Sequence, residues 1–190
     1  ALSMKLYEYL MTAENAKIIL LTGTPIINYP NEVGILFNIL RGKIKTYKFK
    51  LVINEARKIN QEVLFKLFRS YSALSKLMDY IQYQASSNTL LITENPFGFI
   101  SQYNKDLYEG VQLNPAKDEQ FSSKEFIQLI AKVLKKADIS IVPGGVEIES
   151  FKALPDTLDT FKTYFIDDKN KVKNENLFKR RILGLTSYFP

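Results

Sequence analysis

Residues 20–42, LLTGTPIINYPNEVGILFNILRG, constrain the fold more than any other stretch, because an apolar run stops at a glycine and a proline and a second apolar pattern resumes at a different spacing. Ile18, Ile19, Leu20 and Leu21 follow one another without a polar residue, the pattern of a strand covered on both faces. Beyond the turn, Pro30 suits a first helical turn. Val33, Ile35, Leu36, Phe37, Ile39 and Leu40 then predict a helix that ends at Gly42, a natural C-cap residue. Upstream, Met4, Leu6, Tyr7, Leu10 and Met11 recur at helical spacing. Helix, strand, turn and helix make one unit of a three-layer α/β domain with a parallel sheet. In such sheets ligands gather where loops leave the carboxyl ends of strands, so Thr22 to Asn28 is the first candidate site. Gly23 is expected to supply a backbone geometry that a side chain would oppose, and Pro25 to fix the exit direction. The hydroxyls of Thr22 and Thr24 can bond a phosphate, a water or a neighbouring loop. A plain strand-to-helix turn is the alternative.

Composition narrows the chemistry. The chain has 190 residues, 46% of them hydrophobic, enough for one ordinary core or a core with a smaller subdomain. It contains neither cysteine nor histidine, which excludes disulfides, thiolate metal sites and the commonest general base. No apolar stretch approaches the length of a membrane span, and the first residues lack the order of a secretory signal, so no membrane partner is expected. The acid pairs Asp156 with Asp159 and Asp167 with Asp168 read as a helix start and a charged turn. No catalytic or metal-binding residues are therefore assigned.

Lys and Arg number 26 against 20 Asp and Glu, a net charge of +6. The excess concentrates in RGKIKTYKFK, with Arg41, Lys43, Lys45, Lys48 and Lys50, and near the C-terminus, with Lys169, Lys171, Lys173, Lys179, Arg180 and Arg181. Lys43, Lys45, Lys179, Arg180 and Arg181 are the candidate contacts to a nucleic acid; a solvated surface is the other reading of each stretch.

Between the two stretches the pattern predicts a small α+β region. TYKFKLVI reads as a strand. EVLFKLFRSYSALSKLMDYIQYQ reads as helical with a break near Ser70 to Ser72. NTLLITENP and GFISQY read as strands meeting in a hairpin-like turn at Asn95 to Gly98, with YEGVQL pairing beside them. SSKEFIQLIAKVLKKA predicts a helix capped by serine, VPGGVE a turn between strands, VEIESFKAL a strand and PDTLDTFKTYFI a helix. Phe97, Phe99 and Tyr103 invite base stacking, against a competing role in the core.

The segment LLTGTPIINYPNEVGILFNIL resembles motif III of the Swi/Snf-type superfamily II helicases and translocases, with Thr22, Gly23, Thr24, Pro25, Asn28, Glu32, Leu36, Phe37 and Asn38 fitting the pattern. ENPFGF at 94–99 and LFKRRILGLTSYF at 177–189 resemble segments of the helicase-like ATPases of large nucleocytoplasmic DNA viruses, related to the poxvirus early-transcription ATPases. The resemblance implies that residues 1–42 end a first RecA-like motor domain, that 43–173 are an α+β insertion or linker, and that 174–190 are a connecting helix toward a second motor domain. It implies ATP and magnesium as cofactors of the intact parent. No G-x-x-x-x-G-K-[ST] occurs in these residues, so neither cofactor nor ATP turnover is expected of them alone. The implied partners are nucleic acid, DNA favoured over RNA, the remainder of the motor chain and viral transcription machinery, in a virion or a cytoplasmic viral factory. The implied role of Thr22 to Asn28 is to couple ATP state to nucleic-acid grip. The alternative is a non-enzymatic protein- or nucleic-acid-binding module docking transcription or virion components.

Overall fold

The structure is a computed structural model that describes residues 2–13, 16–53, 58–96, 98–104, 107–114 and 121–187. The fold is mixed α/β, and the chain divides into two compact units. Residues 1–44, 109–111 and 151–190 form unit 1; residues 45–108 and 112–150 form unit 2.

Unit 2 is built on a four-stranded sheet. Strands β1 (Ile44–Ile53), β2 (Met78–Gln84), β3 (Thr89–Glu94) and β6 (Ile139–Phe151) lie in the order β2-β3-β1-β6. The β1–β3 and β2–β3 ladders are both antiparallel. Their register sets Tyr47 opposite Ile92 and Phe49 opposite Leu90. The alternation of β1 then puts Tyr47, Phe49 and Leu51 on one buried face, as the period of two requires. Helices α3 (Gln61–Arg69), α4 (Ser72–Leu77) and α5 (Ser123–Lys136) add Leu64, Phe68, Leu74, Phe126, Ile130, Val133 and Leu134 to the same core. Each large apolar side chain so buried contributes about 1.5–3 kcal/mol. Helix α5 starts as its serines predict: Ser122 accepts from the Glu125 N–H while Glu125 accepts from the Ser122 N–H, a full capping box.

Three expectations for this unit are corrected. The helix anticipated up to Gln84 stops at Leu77, and Met78–Gln84 is strand β2, because the β-forming Tyr80, Ile81 and Tyr83 find an antiparallel partner in β3. NTLLITENP and GFISQY do not form one hairpin. Strand β3 lies between β1 and β2, whereas β4 (Phe99–Asn104) pairs with β5 (Leu107–Leu113) in a separate two-stranded sheet. Ser101 in β4 donates to the Met78 carbonyl at 2.9 Å and accepts from the Asn95 amide at 2.9 Å, tying the ribbon to the start of β2. VPGGVE is not a turn between strands, since β6 runs through it with Gly144 at φ +72° absorbing the irregularity.

Unit 1 gathers helices α1 (Leu2–Thr12), α2 (Asn31–Arg41), α6 (Leu158–Phe165) and α7 (Glu175–Ile182). Phe37, Leu154, Phe161 and Phe165 form its core, with the Phe178 ring 5.2 Å from that of Phe165. Asn38, fully buried, bonds like a strand partner: its amide donates to the Leu154 carbonyl at 2.8 Å and its oxygen accepts from the Leu154 N–H at 2.8 Å. The same amide donates to the Tyr7 hydroxyl at 3.1 Å, anchoring α1, from which Tyr7 and Met11 alone are buried. As expected, α2 starts after Pro30 and ends at Gly42, which has φ +72° and donates to the Asn38 carbonyl. The parallel strand expected at 18–21 is not formed. Residues 16–22 are irregular and Leu21 is 95% exposed, because a strand needs a hydrogen-bonded neighbour and none flanks this segment among the described residues.

Candidate functional site

The Thr22–Asn28 loop leads from this exposed segment into α2, and a single carboxylate organises it. Glu32, in the first turn of α2, accepts from the Ile27 N–H at 2.7 Å, from the Asn28 N–H at 3.1 Å and from the Tyr29 N–H at 3.2 Å. Three consecutive donors that would otherwise need water are thereby satisfied by one side chain. The same bonds, that from Ile27 foremost and then that from Asn28, hold the Glu32 carboxyl below its ordinary value.

Within the loop the two threonines differ. The Thr22 hydroxyl accepts from the Thr24 N–H at 3.1 Å and closes a small side-chain turn. The Thr24 hydroxyl has no hydrogen-bond partner among the described residues, and its side chain is exposed. Pro25 and Asn28 are also exposed. Gly23 departs from the expectation: it lacks a positive φ, and a Cβ built on it would meet nothing. The bend is produced by the Thr22 and Glu32 side chains, so glycine's freedom is not what the turn uses. The sequence marked Glu32 only as a matching position; its signal was an acid in the first helical turn shortly after a chain reversal.

The basic candidates separate by environment. Arg181 is 7% exposed, with its guanidinium 5.9 Å from the Phe151 ring, which corrects the expectation of a solvent-facing side chain there. Its α7 neighbours are more accessible: Lys179 is exposed and paired to Glu175 at 2.6 Å, and Arg180 is half-buried. Arg41 is buried and donates to the Arg180 carbonyl at 3.0 Å, so its charge holds the end of α7. In the first basic stretch Lys48 pairs with Glu147 at 3.0 Å, Lys50 donates to the Ser87 carbonyl at 2.6 Å, and Lys45 lies 3.4 Å from the Ser123 hydroxyl. Lys43 is exposed. Tyr103, a stacking candidate, is engaged internally by the Arg69 guanidinium 4.5 Å from its ring centre and by Tyr108. Phe99 is half-buried, and Phe97 lies outside the described residues. No cluster of acids able to hold a metal occurs among the described residues, and no described helix is long and apolar enough to cross a membrane.

No protein-family model matches this sequence, and no solved structure matches it. Among curated proteins, the chain is similar to one from Acanthamoeba polyphaga mimivirus named "Putative ATP-dependent RNA helicase L538", at 30% identity over 95 residues. The match covers 46% of this chain and 21% of the mimivirus protein.

Proposed function

We propose that this chain is part of a viral, nucleic-acid-dependent ATPase of the helicase class, in which the Thr22–Asn28 loop couples nucleotide state to the grip on nucleic acid. The likeness to a mimivirus protein named as a helicase supports the class. The division of labour between the threonines supports the loop's role: Thr22 and Glu32 keep the loop ordered while the Thr24 hydroxyl is left for a ligand. A loop of that kind has one hydrogen-bonding state with a γ-phosphate present and another without it, which is what coupling requires. ATP and magnesium are then held by the remainder of the motor, as the Swi/Snf-type and poxvirus-related resemblance implies. The setting is viral transcription or DNA remodelling. Lys43, Lys45, Lys179 and Arg180 lie among the contacts to the strand.

The test is Thr24→Ala in a motor that contains this loop. ATP affinity is expected to stay within about twofold, while nucleic-acid stimulation of hydrolysis drops at least about tenfold, or roughly 1.4 kcal/mol of coupling. Stimulated turnover equal to the unmodified motor would reduce Thr24 to a turn residue. Running the assay with DNA and RNA of one sequence decides which nucleic acid is the effector.

A further inference from the structure

Helix α5 carries charge that the loop does not use. Lys124, Lys132 and Lys135 are all exposed. At helical periodicity they fall within about 80° of one another, in a row about 16 Å long with Gln128 between them. The other side of the helix is fixed, because Phe126, Ile130, Val133 and Leu134 are buried in the core of unit 2. The row therefore cannot turn inward. None of these three lysines is paired to a carboxylate among the described residues, whereas Lys48, Lys66 and Lys179 each are. The acid of the helix, Glu125, is folded back onto Ser122 in the capping box. Lys45, beside Ser123, adds a cation at the N-terminal end of the row, where the helix dipole is also positive; the Glu94 carboxyl shares its field. At the other end Lys136 lies 5.1 Å from the Tyr71 ring centre.

We infer that this face of α5 is a polyanion-binding surface whose occupant is the phosphate backbone of a nucleic acid. It gives the α+β unit a contact of its own, and it rests on the nucleic-acid reading above. The row presents repeated point charges without an aromatic or apolar anchor. Protein interfaces are centred on buried aromatic and arginine anchors, and membrane-surface helices bury an apolar face that α5 has already spent on its own core. A row of cations along one helix face with no anchor suits a backbone of repeated anions.

The experiment measures binding of the full 1–190 chain to a fluorescein-labelled oligothymidylate by anisotropy across a salt series. The combined variant Lys124→Gln, Lys132→Gln, Lys135→Gln is expected to bind more weakly and to flatten the slope of log K against log salt by about 2, at roughly 0.7 per phosphate contact. The corresponding Lys→Arg variant is expected to keep the slope. An unchanged slope in the glutamine variant, with unchanged circular dichroism, overturns the inference. So does equal loss in the arginine variant, which would mark a packing role, or loss of binding to phosphatidylserine vesicles with oligothymidylate binding intact. Failure is separable from failure of the parent reading. If Lys179→Ala with Arg180→Ala abolishes binding while the α5 variant keeps it, only this surface is wrong; if the unmodified chain binds no oligonucleotide at low salt, both are.

Discussion

Glu32 shows how one side chain settles a loop. Its two oxygens take three backbone donors from Ile27, Asn28 and Tyr29, and only the ionised carboxylate accepts all three without offering a competing proton. Because folding lowers the pKa of Glu32 from an ordinary 4.5, the order it contributes is present above that value and is lost as pH falls through the lower folded value. Amide exchange at residues 27–29, followed from pH 6 downward after correction for intrinsic rates, is therefore expected to show protection that survives below the ordinary carboxylate value and is lost only as the pH passes the lowered value of Glu32. Glu32→Ala should remove that protection throughout. Protection that persists in Glu32→Ala would mean that Pro25 and Pro30 alone hold the loop. The Thr24 hydroxyl, by contrast, is not used in the turn, so the residues that shape this loop and the residue left to act from it are different ones.

At the scale of an element, helix α2 is held by the two residues in it that look least suited to a buried helix face. Asn38 replaces a missing strand partner for Leu154. Gly34 sits where a Cβ would collide with the Pro155 carbonyl and press on Phe161. Gly34→Ala is therefore expected to destabilise the chain by about 1–3 kcal/mol despite alanine's better helix propensity, whereas Gly23→Ala, with open space around it, should stay within about 0.5 kcal/mol. Chemical denaturation of the two variants checks the contrast, and equal effects would refute the close approach. The limits of the helix were legible, because Pro30 and Gly42 act through their own backbone preferences. So was α5, whose apolar stripe and capping serine act locally. What was not legible depended on a partner distant in sequence. MDYIQYQ became a strand because β3 was there to pair with it, and Ile18 to Leu21 are irregular with no strand beside them among the described residues. The same distinction applies to the site: the TGTP letters located the loop, while only the structure separated Thr22 from Thr24 and drew Arg181 into the interior.

At the scale of the whole molecule, the two stretches that suggested a basic surface do not present all of their cations to solvent. Arg41 and Arg181 are buried, and Lys48, Lys50 and Lys179 bond acids or carbonyls, while Lys43, Lys45, Lys169, Lys171 and Lys173 are exposed; α5 adds a further basic row where no charge run appears in the sequence, because its lysines are spaced by helical turns. Apolar surface is displaced in the opposite sense. Ile19, Leu21, Ile26 and Ile27 are exposed although their local sequence is among the most apolar in the chain. That placement makes the cost of truncating a leucine strongly position-dependent. Leu90 is fully buried in β3 between β1 and β2, so Leu90→Ala removes packing that the rigid sheet cannot recover and is expected to cost about 2–5 kcal/mol. Leu21→Ala removes a side chain already in water and should change the stability of residues 1–190 by no more than about 0.5 kcal/mol. Urea unfolding of the two variants at matched pH and salt measures the difference. If Leu21→Ala were as costly as Leu90→Ala, residues 18–21 would be the buried strand that their pattern suggests, and the exposed path of the segment leading into the Thr22–Asn28 loop would be wrong.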